Sequence, residues 1–337
     1  MLQPVHDPQL SGASVLVTGG TGSFGRRFIR RLLAMPNGPA RVVVLSRDEL
    51  KQWEMRQDPA LDDDKRMRWF LGDVRDLDRL RRAFDGVDVV VHAAALKQVV
   101  ACEYNPLEAV KTNVDGAKNI IDAAIDARVA KVLALSTDKA VSPVNLYGAT
   151  KLVAEKLFIQ ANAYVGGDVP KFACVRYGNV VGSRGSVVPV FLEQRKTGRV
   201  TVTDKRMTRF WITLEQGVKL VTDGIEQMHG GEIFVPKITS MNIMDLVKIV
   251  APDCKVDEVG IRPGEKLHEA LLSDEEATHT VDAGDKYVVL PVAPSWTNNA
   301  WDKAKKVSPN FSYVSNLDGN WMTEEELRAM VRSYETA

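Results

Sequence analysis

The stretch VTGGTGSFG, residues 17–25, decides the fold of this 337-residue chain. Three of its four glycines, at positions 19, 22 and 25, form a spaced motif between an apolar, β-branched run and a helical pattern. Glycines in such a turn let a pyrophosphate approach the backbone, where the free N–H groups of the helix start can bind it. The spacing G-x-x-G-x-x-G also occurs in tight turns that bind nothing, so its meaning depends on the elements around it. The residues expected to contact the phosphates are Gly19, Thr21, Gly22, Ser23, Phe24 and Gly25.

Short apolar runs alternate with amphipathic helical patterns through the first half of the chain. The runs predicted to be strands are 14–20, 41–46, 67–73, 87–95, 131–137 and 171–179. Strands that are apolar on both sides of the pleat are typical of a parallel sheet covered by helices on both faces. Six such units predict an α/β fold, a Rossmann-like doubly wound parallel sheet, with a dinucleotide-binding domain over residues 1–180.

The alternation ends near residue 180. Further helical patterns occur at 188–196, 215–228, 244–251 and 324–335, and 231–237 resembles a strand. They predict a smaller, interleaved substrate-binding domain over residues 181–337, with some segments returning to the first domain. Residues 275–325 are weakly patterned and predict little.

Composition excludes several classes of partner. Acidic and basic residues are equal in number, 44 each, so no net field favours nucleic acid or an anionic membrane. The three cysteines and five histidines show no disulfide framework and no metal-ligand spacing. The N-terminal residues lack a signal-peptide pattern, and no apolar run approaches the ~18 residues that span a bilayer. We expect a soluble, cytoplasmic protein without a metal.

The end of the second predicted strand bears on the choice of dinucleotide. A carboxylate there would favour NAD by bonding the ribose 2′-hydroxyl, but Ser46 and Arg47 come first and Lys51 follows. This set suits a 2′-phosphate and predicts NADP. Asp48 is predicted to join the site, although it could simply cap the next helix. The other residues expected along the cofactor, of which the first could instead be a turn residue, are Asp73, Val74 and Ala93.

The stretch STDKAVSPVNLYGATK, residues 136–151, carries candidate acid–base groups. Tyr147 and Lys151 are four apart at a predicted helix start and therefore share one face. We expect a neighbouring ammonium and a positive nicotinamide to lower the pKa of Tyr147 from ~10, so that it can take a proton from a carbinol. The spacing Y-x-x-x-K is common in helices, but here it follows a strand beside a dinucleotide site. The same stretch supplies Ser136, Thr137, Asp138 and Lys139.

Five motifs together, GGTGSFG, HAAALK, STDKA, YGATK and RYGNVVGSRGSVVP, resemble the extended short-chain dehydrogenase/reductase superfamily. Within it, the chain is similar to the soluble, inverting UDP-N-acetylglucosamine 4,6-dehydratases that begin pseudaminic acid synthesis for flagellin glycosylation. The similarity extends from about residue 14 through RPGEKLHE at 262–269.

The resemblance implies a lyase in which NADP is recycled. The sugar is oxidised at C4, loses water across C5 and C6, and regains the hydride at C6. Lys139 is implied as the base at C5 and Asp138 as the acid for water loss, which predicts that Asp138 is buried and holds a proton near neutrality. Reprotonation of C5 from the opposite face would give the β-L-arabino 4-keto sugar. Taken alone, Asp138–Lys139 could be an exposed ion pair.

A UDP-sugar carries phosphate charges that call for arginine, lysine and backbone donors. The residues that the resemblance places near the nicotinamide, besides Tyr147 and Lys151, are Lys97, Ser136, Thr137, Val180, Val181, Gly182, Ser183 and Arg184. The predicted substrate contacts are Lys97, Asn179, Arg184, Ser186, Arg209, Arg262 and Glu265. Each of these arginines, taken singly, could be a solvated surface charge.

The Asp-Lys pair separates the possible readings. Glucose-nucleotide dehydratases carry Asp-Glu at this point, simple 4-epimerases lack the pair, and membrane-bound retaining dehydratases commonly have Met in place of the Tyr. The alternatives are an NDP-sugar 4-epimerase or reductase, and a non-catalytic NADP sensor that need not keep all four groups. One departure from the relatives is Gln98, where they often have His. The resemblance also implies a homo-oligomer, often a hexamer.

Overall fold

The computed structural model describes residues 10–165, 169–181, 187–292, 299–317 and 319–335. The strands are β1 (Ser14–Thr18), β2 (Arg41–Ser46), β3 (Met67–Leu71), β4 (Val89–His92), β5 (Lys131–Leu135), β6 (Lys171–Val175), β7 (Asn179–Val180), β8 (Arg199–Val202), β9 (Thr208–Ile212), β10 (Ile233–Pro236), β11 (Ser240–Asn242), β12 (Lys255–Glu258), β13 (Ala270–Leu272), β14 (Thr280–Asp282), β15 (Lys286–Val289), β16 (Lys305–Lys306) and β17 (Tyr313–Val314). A ten-stranded sheet has the order β16-β14-β15-β10-β6-β5-β4-β1-β2-β3.

The first six strands confirm the predicted α/β fold. They pair in parallel in the order β3-β2-β1-β4-β5-β6. Strands β1 to β3 are added toward one edge of the sheet and β4 to β6 toward the other, so the strand order reverses between the neighbours β1 and β4. Every residue of β1, β4 and β5 is buried, as expected for strands covered on both faces. This is the doubly wound arrangement, in which ligands bind where the strand order reverses.

The helices occupy most of the predicted positions. They are α1 (Ser23–Leu33), α2 (Glu49–Arg56), α3 (Pro59–Asp62), α4 (Leu77–Ala83), α5 (Val99–Tyr104), α6 (Pro106–Val110), α7 (Gly116–Asp126), α8 (Leu146–Ala161), α9 (Val187–Arg195), α10 (Leu214–Gln227), α11 (Ile243–Val250), α12 (Asp274–Ala277) and α13 (Glu324–Glu335). Helix α1 packs against α10, whereas α7 packs against both α4 and α8. Within the described ranges, no helix is long and apolar enough to cross a membrane.

Residues 107–125, which carry one continuous helical pattern in the sequence, do not form a single regular helix. A π-helical turn, Lys111–Asp115, separates α6 from α7, which widens the helix by one residue at that point. Asn113 in this turn donates from Nδ2 to the Leu96 carbonyl at 2.9 Å and to Thr150 Oγ1 at 3.0 Å, and its Oδ1 accepts from the Leu96 N–H at 2.8 Å. The π turn therefore fixes the loop after β4 to α8.

The second half of the chain returns to the large sheet. The predicted strand at 231–237 is β10, which pairs in parallel with β6 and antiparallel with β15. The weakly patterned stretch contains β14, β15 and β16, which continue the sheet antiparallel. These strands have two to four residues, too few for alternation to show in the sequence.

A second, smaller core lies among α9, α11, α13 and two of the three short sheets, β11-β9-β7 and β12-β8. Its buried members include Val188, Phe191, Trp211, Leu246 and Leu327. Strand β8 pairs with β12, and β9 pairs with both β7 and β11. Strand β7, which follows β6 in the chain, therefore belongs to a sheet of the smaller core, and its residues line the cleft at the carboxyl ends of the parallel strands.

Candidate active site

A cleft of about 750 Å³ opens at the carboxyl ends of the central parallel strands. It lies at the reversal of strand order, where an open α/β sheet binds its ligands. Most of the residues predicted from the sequence line it together. They are Gly19, Thr21, Gly22, Ser23, Phe24, Gly25, Ser46, Arg47, Asp48, Lys51, Asp73, Val74, Ala93, Lys97, Ser136, Thr137, Asp138, Lys139, Tyr147, Lys151, Asn179 and Val180.

The glycine loop leaves room and donors for a pyrophosphate. Gly19 has a φ of +65°, and a Cβ there would lie 2.9 Å from the Ala94 nitrogen. A Cβ on Gly25 would lie 2.5 Å from the Gly20 Cα, so α1 can approach the loop only with glycine here. Gly22 caps α1 without a side-chain hydrogen bond, which leaves the first N–H groups of the helix open to an anion. This cradle fits a dinucleotide.

The carboxylate at the end of β2 is already paired within the protein. Asp48 caps α2 by accepting from the Lys51 N–H at 3.0 Å, and its other oxygen pairs with the Lys51 ammonium. These contacts lower the pKa of Asp48. Arg47 is about half exposed and lies 3.7 Å from Asp73, whose Oδ1 also accepts from the Arg75 N–H in a turn. Asp48 and Asp73 therefore line the cleft and also make the local contacts of a helix cap and a turn, respectively.

The Asp138–Lys139 pair lies on a 3₁₀ turn between β5 and α8. The Asp138 side chain is fully buried, as predicted, and 21% of the Lys139 side chain is exposed, so the pair is not a surface ion pair. Asp138 Oδ1 accepts from Thr137 Oγ1 at 2.8 Å and from Lys139 Nζ at 3.1 Å. Lys139 Nζ also donates to Asn179 Oδ1 at 3.3 Å. Close packing of Gly148 on the Lys139 carbonyl fixes this turn against α8.

The protein environment alone does not activate Tyr147 as the sequence suggested. Burial raises the pKa of Tyr147 to about 12, against the opposing effects of Lys139 and of a hydrogen bond to Thr137. The lysine that lowers this pKa most is therefore Lys139, rather than the expected Lys151. Burial lowers the pKa of Lys151, and burial together with Lys151 lowers that of His92 to about 3, so the imidazole is neutral.

Several polar atoms in the cleft are left for a ligand. Among the described residues, Thr112 Oγ1, Ser136 Oγ and Asp138 Oδ2 are buried without a hydrogen-bond partner, and all three side chains line the cleft. Buried polar atoms are normally paired, so such a set is expected where a polar ligand binds. Burial also lowers the pKa of Lys97. Gln98 lines the same cleft.

The sequence did not single out Glu269, which the structure places beside Lys139. Its Oε1 lies 3.4 Å from Lys139 Nζ and 3.9 Å from Arg209 Nε. The motif RPGEKLHE contains this residue, but no spacing rule connects position 269 with position 139. Asn113 was missed for a related reason, because a π turn has no sequence signal that would have shown where its side chain points.

Some predicted residues do not line the cleft. The Val181 side chain packs on the smaller core, whereas Val180, the last residue of β7, lines the cleft. Arg209 donates to the carbonyls of Thr208 and Leu267. The predicted contacts that lie away from the cleft lining are Val181, Arg209, Arg262 and Glu265. Those that fall outside the described residues are Gly182, Ser183, Arg184 and Ser186.

No metal site is formed by the part of the chain that the structure describes. No three His, Cys, Asp or Glu side chains there are placed to hold an ion. The chemical groups of the cleft include the Tyr147 phenol, the Asp138 carboxyl and the amines of Lys139 and Lys151, with an anion cradle at one end. This set can move protons and hold a phosphorylated ligand.

Comparisons with known proteins agree with this arrangement. The chain matches the polysaccharide biosynthesis protein family over residues 15–291. It is 47% identical to an inverting UDP-N-acetylglucosamine 4,6-dehydratase of Campylobacter jejuni, with 96% of this chain and 99% of that protein covered. A UDP-glucose 4-epimerase of Rickettsia canadensis is 44% identical over 81% of this chain and 82% of that protein.

Solved structures share the fold. Pen from Bacillus thuringiensis matches with a TM-score of 0.88 and 37% identity, over 97% of this chain and 99% of that chain. A dTDP-glucose 4,6-dehydratase of Streptomyces venezuelae with NAD bound matches with a TM-score of 0.65 and 25% identity, over 75% of this chain and 86% of that chain. This chain therefore belongs to the polysaccharide biosynthesis protein family, together with the inverting UDP-N-acetylglucosamine 4,6-dehydratases.

Proposed function

We propose that the protein is an NADP-dependent UDP-N-acetylglucosamine 4,6-dehydratase that inverts C5. The observation that carries this proposal is the buried Asp138–Lys139 pair in one cleft with Tyr147. Oxidation or epimerisation at C4 needs a single acid–base group, whereas elimination of water needs a base at C5 and an acid at C6 as well. The product would be UDP-2-acetamido-2,6-dideoxy-β-L-arabino-hex-4-ulose.

The three side chains divide the proton transfers among them. Tyr147 takes the proton of the C4 hydroxyl as C4 becomes a ketone, which makes the C5 proton acidic. Lys139, as an amine, takes that proton, and Asp138, as a carboxylic acid, protonates the departing C6 hydroxyl so that it leaves as water. A bound nicotinamide dinucleotide would accept the hydride from C4 and return it to C6. C5 regains a proton from the opposite face, which inverts it.

The hydrogen bond between Asp138 and Lys139 can provide the amine and the carboxylic acid at the same time. Lys139 Nζ lies 3.1 Å from Asp138 Oδ1. Transfer of one proton along this bond converts an ion pair into an amine and a carboxylic acid, the two states that elimination needs. The hydrogen bond from Thr137 to the same carboxylate oxygen keeps the pair aligned. Asp138 lines the cleft, and its Oδ2 has no hydrogen-bond partner among the described residues.

The charges at the end of β2 favour NADP. The Asp48 carboxylate is already paired with Lys51 and with its own helix start, so it is not free to bond a ribose 2′-hydroxyl. Arg47 lines the same end of the cleft with more than half of its side chain exposed. A guanidinium in this position suits the 2′-phosphate that distinguishes NADP from NAD.

Replacing Arg47 by alanine is expected to weaken NADP binding about tenfold to a hundredfold and to change NAD binding little, because a charge-assisted bond to the 2′-phosphate is lost. The measurement is calorimetric titration with each dinucleotide after any bound cofactor has been removed. Arg56→Ala, which removes an exposed arginine paired with Asp62, is the matched control. Equal losses for both dinucleotides in Arg47→Ala would contradict the NADP assignment.

The sugar nucleotide would lie between the two cores. Lys97 and Asn179 line the cleft, and Asn179 accepts a hydrogen bond from Lys139, which supports a role for both residues in holding the sugar. We propose that segments of 181–337 form the substrate-binding domain, and that Arg209 and Arg262 bind the phosphates after a movement toward the cleft.

The enzyme would act in the cytoplasm as a homo-oligomer, in the first step of pseudaminic acid synthesis for flagellin or surface glycans.

A 4-epimerase is the second candidate, since the Rickettsia relative carries that name. The test is incubation of the purified protein with UDP-N-acetylglucosamine in deuterium oxide, with and without NADP, followed by NMR of the sugar. We expect a 6-deoxy-4-keto sugar with deuterium at C5 and the L configuration. The D configuration would contradict the inversion, and a 4-epimer would contradict the dehydratase.

A further inference from the structure

Glu269 is a buried carboxylate that contacts the proposed base from outside the cleft. Only 3% of its side chain is exposed, and it does not line the cleft, whereas Lys139 does. Its Oε1 lies 3.4 Å from Lys139 Nζ, and its Oε2 has no hydrogen-bond partner in the described ranges. A buried carboxylate is unfavourable unless charges compensate it, so its position calls for an explanation.

The backbone around Glu269 is fixed by a separate set of bonds. Its N–H donates to Ser315 Oγ at 2.9 Å, and its carbonyl accepts from the Ser315 N–H at 2.8 Å. The Ser315 hydroxyl also lies 2.6 Å from Thr208 Oγ1, on the strand that carries Arg209. Three segments that are distant in the sequence therefore meet at Glu269, and their hydrogen bonds fix the backbone that carries its carboxylate.

We propose that Glu269 is a positioning residue for the dehydration step, which holds Lys139 against the cleft and stabilises the ammonium formed when Lys139 takes the C5 proton. This inference rests on the proposed function. In that step the C5–H bond breaks, an N–H bond forms on Lys139, and the electron pair stays on the sugar as the enolate of the C4 ketone. Glu269 remains a carboxylate throughout, as the aspartate of a Ser-His-Asp triad does.

The charged groups that face Lys139 determine whether the loss of the Glu269 charge raises or lowers the pKa of Lys139. They are Asp138 on its own turn, Glu269, Arg209 and Lys266 from the second half of the chain, and the Tyr147 hydroxyl on α8. Burial by itself would lower the pKa of Lys139, but Asp138 and Glu269 together raise it above its ordinary value. Removing the charge of Glu269 therefore lowers the pKa of Lys139 and exposes a free amine at lower pH.

The test is Glu269→Gln, which keeps the shape and removes the charge. With the ε-carbons of lysine labelled and the Lys139 signal assigned from a Lys139→Arg sample, we expect this signal to titrate at least about one pH unit lower than in the unchanged protein. This readout needs neither dinucleotide nor substrate. In the loaded enzyme, deuterium exchange at C5 should reach its plateau at correspondingly lower pH and be slower at that plateau by about tenfold or more.

Two further variants keep the test decisive. Glu258→Gln removes an exposed carboxylate that lies 3.8 Å from Lys205 and should leave both readouts unchanged. If Glu269→Gln does not fold, Glu269→Asp keeps the charge on a shorter side chain, so Lys139 should titrate nearly as before while C5 exchange remains slow. Exchange at the normal rate in Glu269→Asp would overturn the positioning role.

The failure of this inference differs from that of the proposed function. An unchanged Lys139 titration in folded Glu269→Gln overturns the role of Glu269, even if the protein makes the 4-keto sugar. Absence of the 4-keto sugar with the unchanged protein overturns the dehydratase, while the lysine titration still reports whether Glu269 controls Lys139.

Discussion

Replacing Lys139 by arginine is expected to slow water loss about 10³-fold without disturbing the fold. A guanidinium stays protonated at any working pH, so it keeps the positive charge beside Asp138 and Glu269 but cannot accept the C5 proton. C4 oxidation uses Tyr147, so one turnover should still form reduced nicotinamide. The measurements are NMR of the sugar product and near-ultraviolet absorbance of the dinucleotide in a single turnover.

Lys196→Arg is the matched control for this variant. Its side chain is 70% exposed and pairs with Glu193, three residues earlier, so the same substitution there should leave both readouts unchanged. Thermal unfolding of Lys139→Arg should occur close to that of the unchanged protein. Water loss within about tenfold of the unchanged rate would contradict the assignment of Lys139 as the base.

Replacing Tyr147 by phenylalanine is expected to slow both halves of the reaction about 10³-fold, because no group then takes the C4 hydroxyl proton. Unlike Lys139→Arg, this variant should form neither the 4-keto sugar nor reduced nicotinamide. Tyr104→Phe, on a side chain that is 86% exposed, is the control. Reduced nicotinamide formed at the normal rate in Tyr147→Phe would show that another group accepts the proton.

The pH dependence of C4 oxidation follows from the charge beside Tyr147. Burial raises the pKa of Tyr147 to about 12 and the Lys139 ammonium lowers it, so the phenol is protonated near neutrality and oxidation should quicken as pH rises. Lys139→Met removes that ammonium and should move the rising limb to higher pH, whereas Lys139→Arg keeps the charge and should not. If the rate of C4 oxidation rose over the same pH range in both variants, this would contradict an effect of the Lys139 charge on the pKa of Tyr147.

The fold was largely predictable because its elements carry local signals. Six apolar strands and the helices between them follow from periodicity, and the glycine loop fixes where the first helix meets the first strand. The predictions failed where the determinants are not local. Strands β14 to β16 are too short to show alternation, and α5 (Val99–Tyr104) showed no distinct helical period.

The same limit applies to the candidate site. Asp138, Lys139 and Tyr147 lie within ten residues of one another, so a single motif brought them to notice. Glu269 lies near Lys139 only in the folded chain, and no local sequence pattern indicates that these two residues are close together. The expected pKa of Tyr147 was wrong in direction for the protein alone, because neighbouring charge was weighed without the cost of burial.

The position of β10 in the sheet also matters while the chain is being made. Strand β6 leaves the ribosome well before β10, its partner on one side, so its apolar edge stays open in the nascent chain. Open apolar edges are templates for wrong pairing, and domains usually fold in the order of their synthesis. The first half of this chain therefore cannot finish its own sheet, and its solubility during translation depends on residues that arrive later.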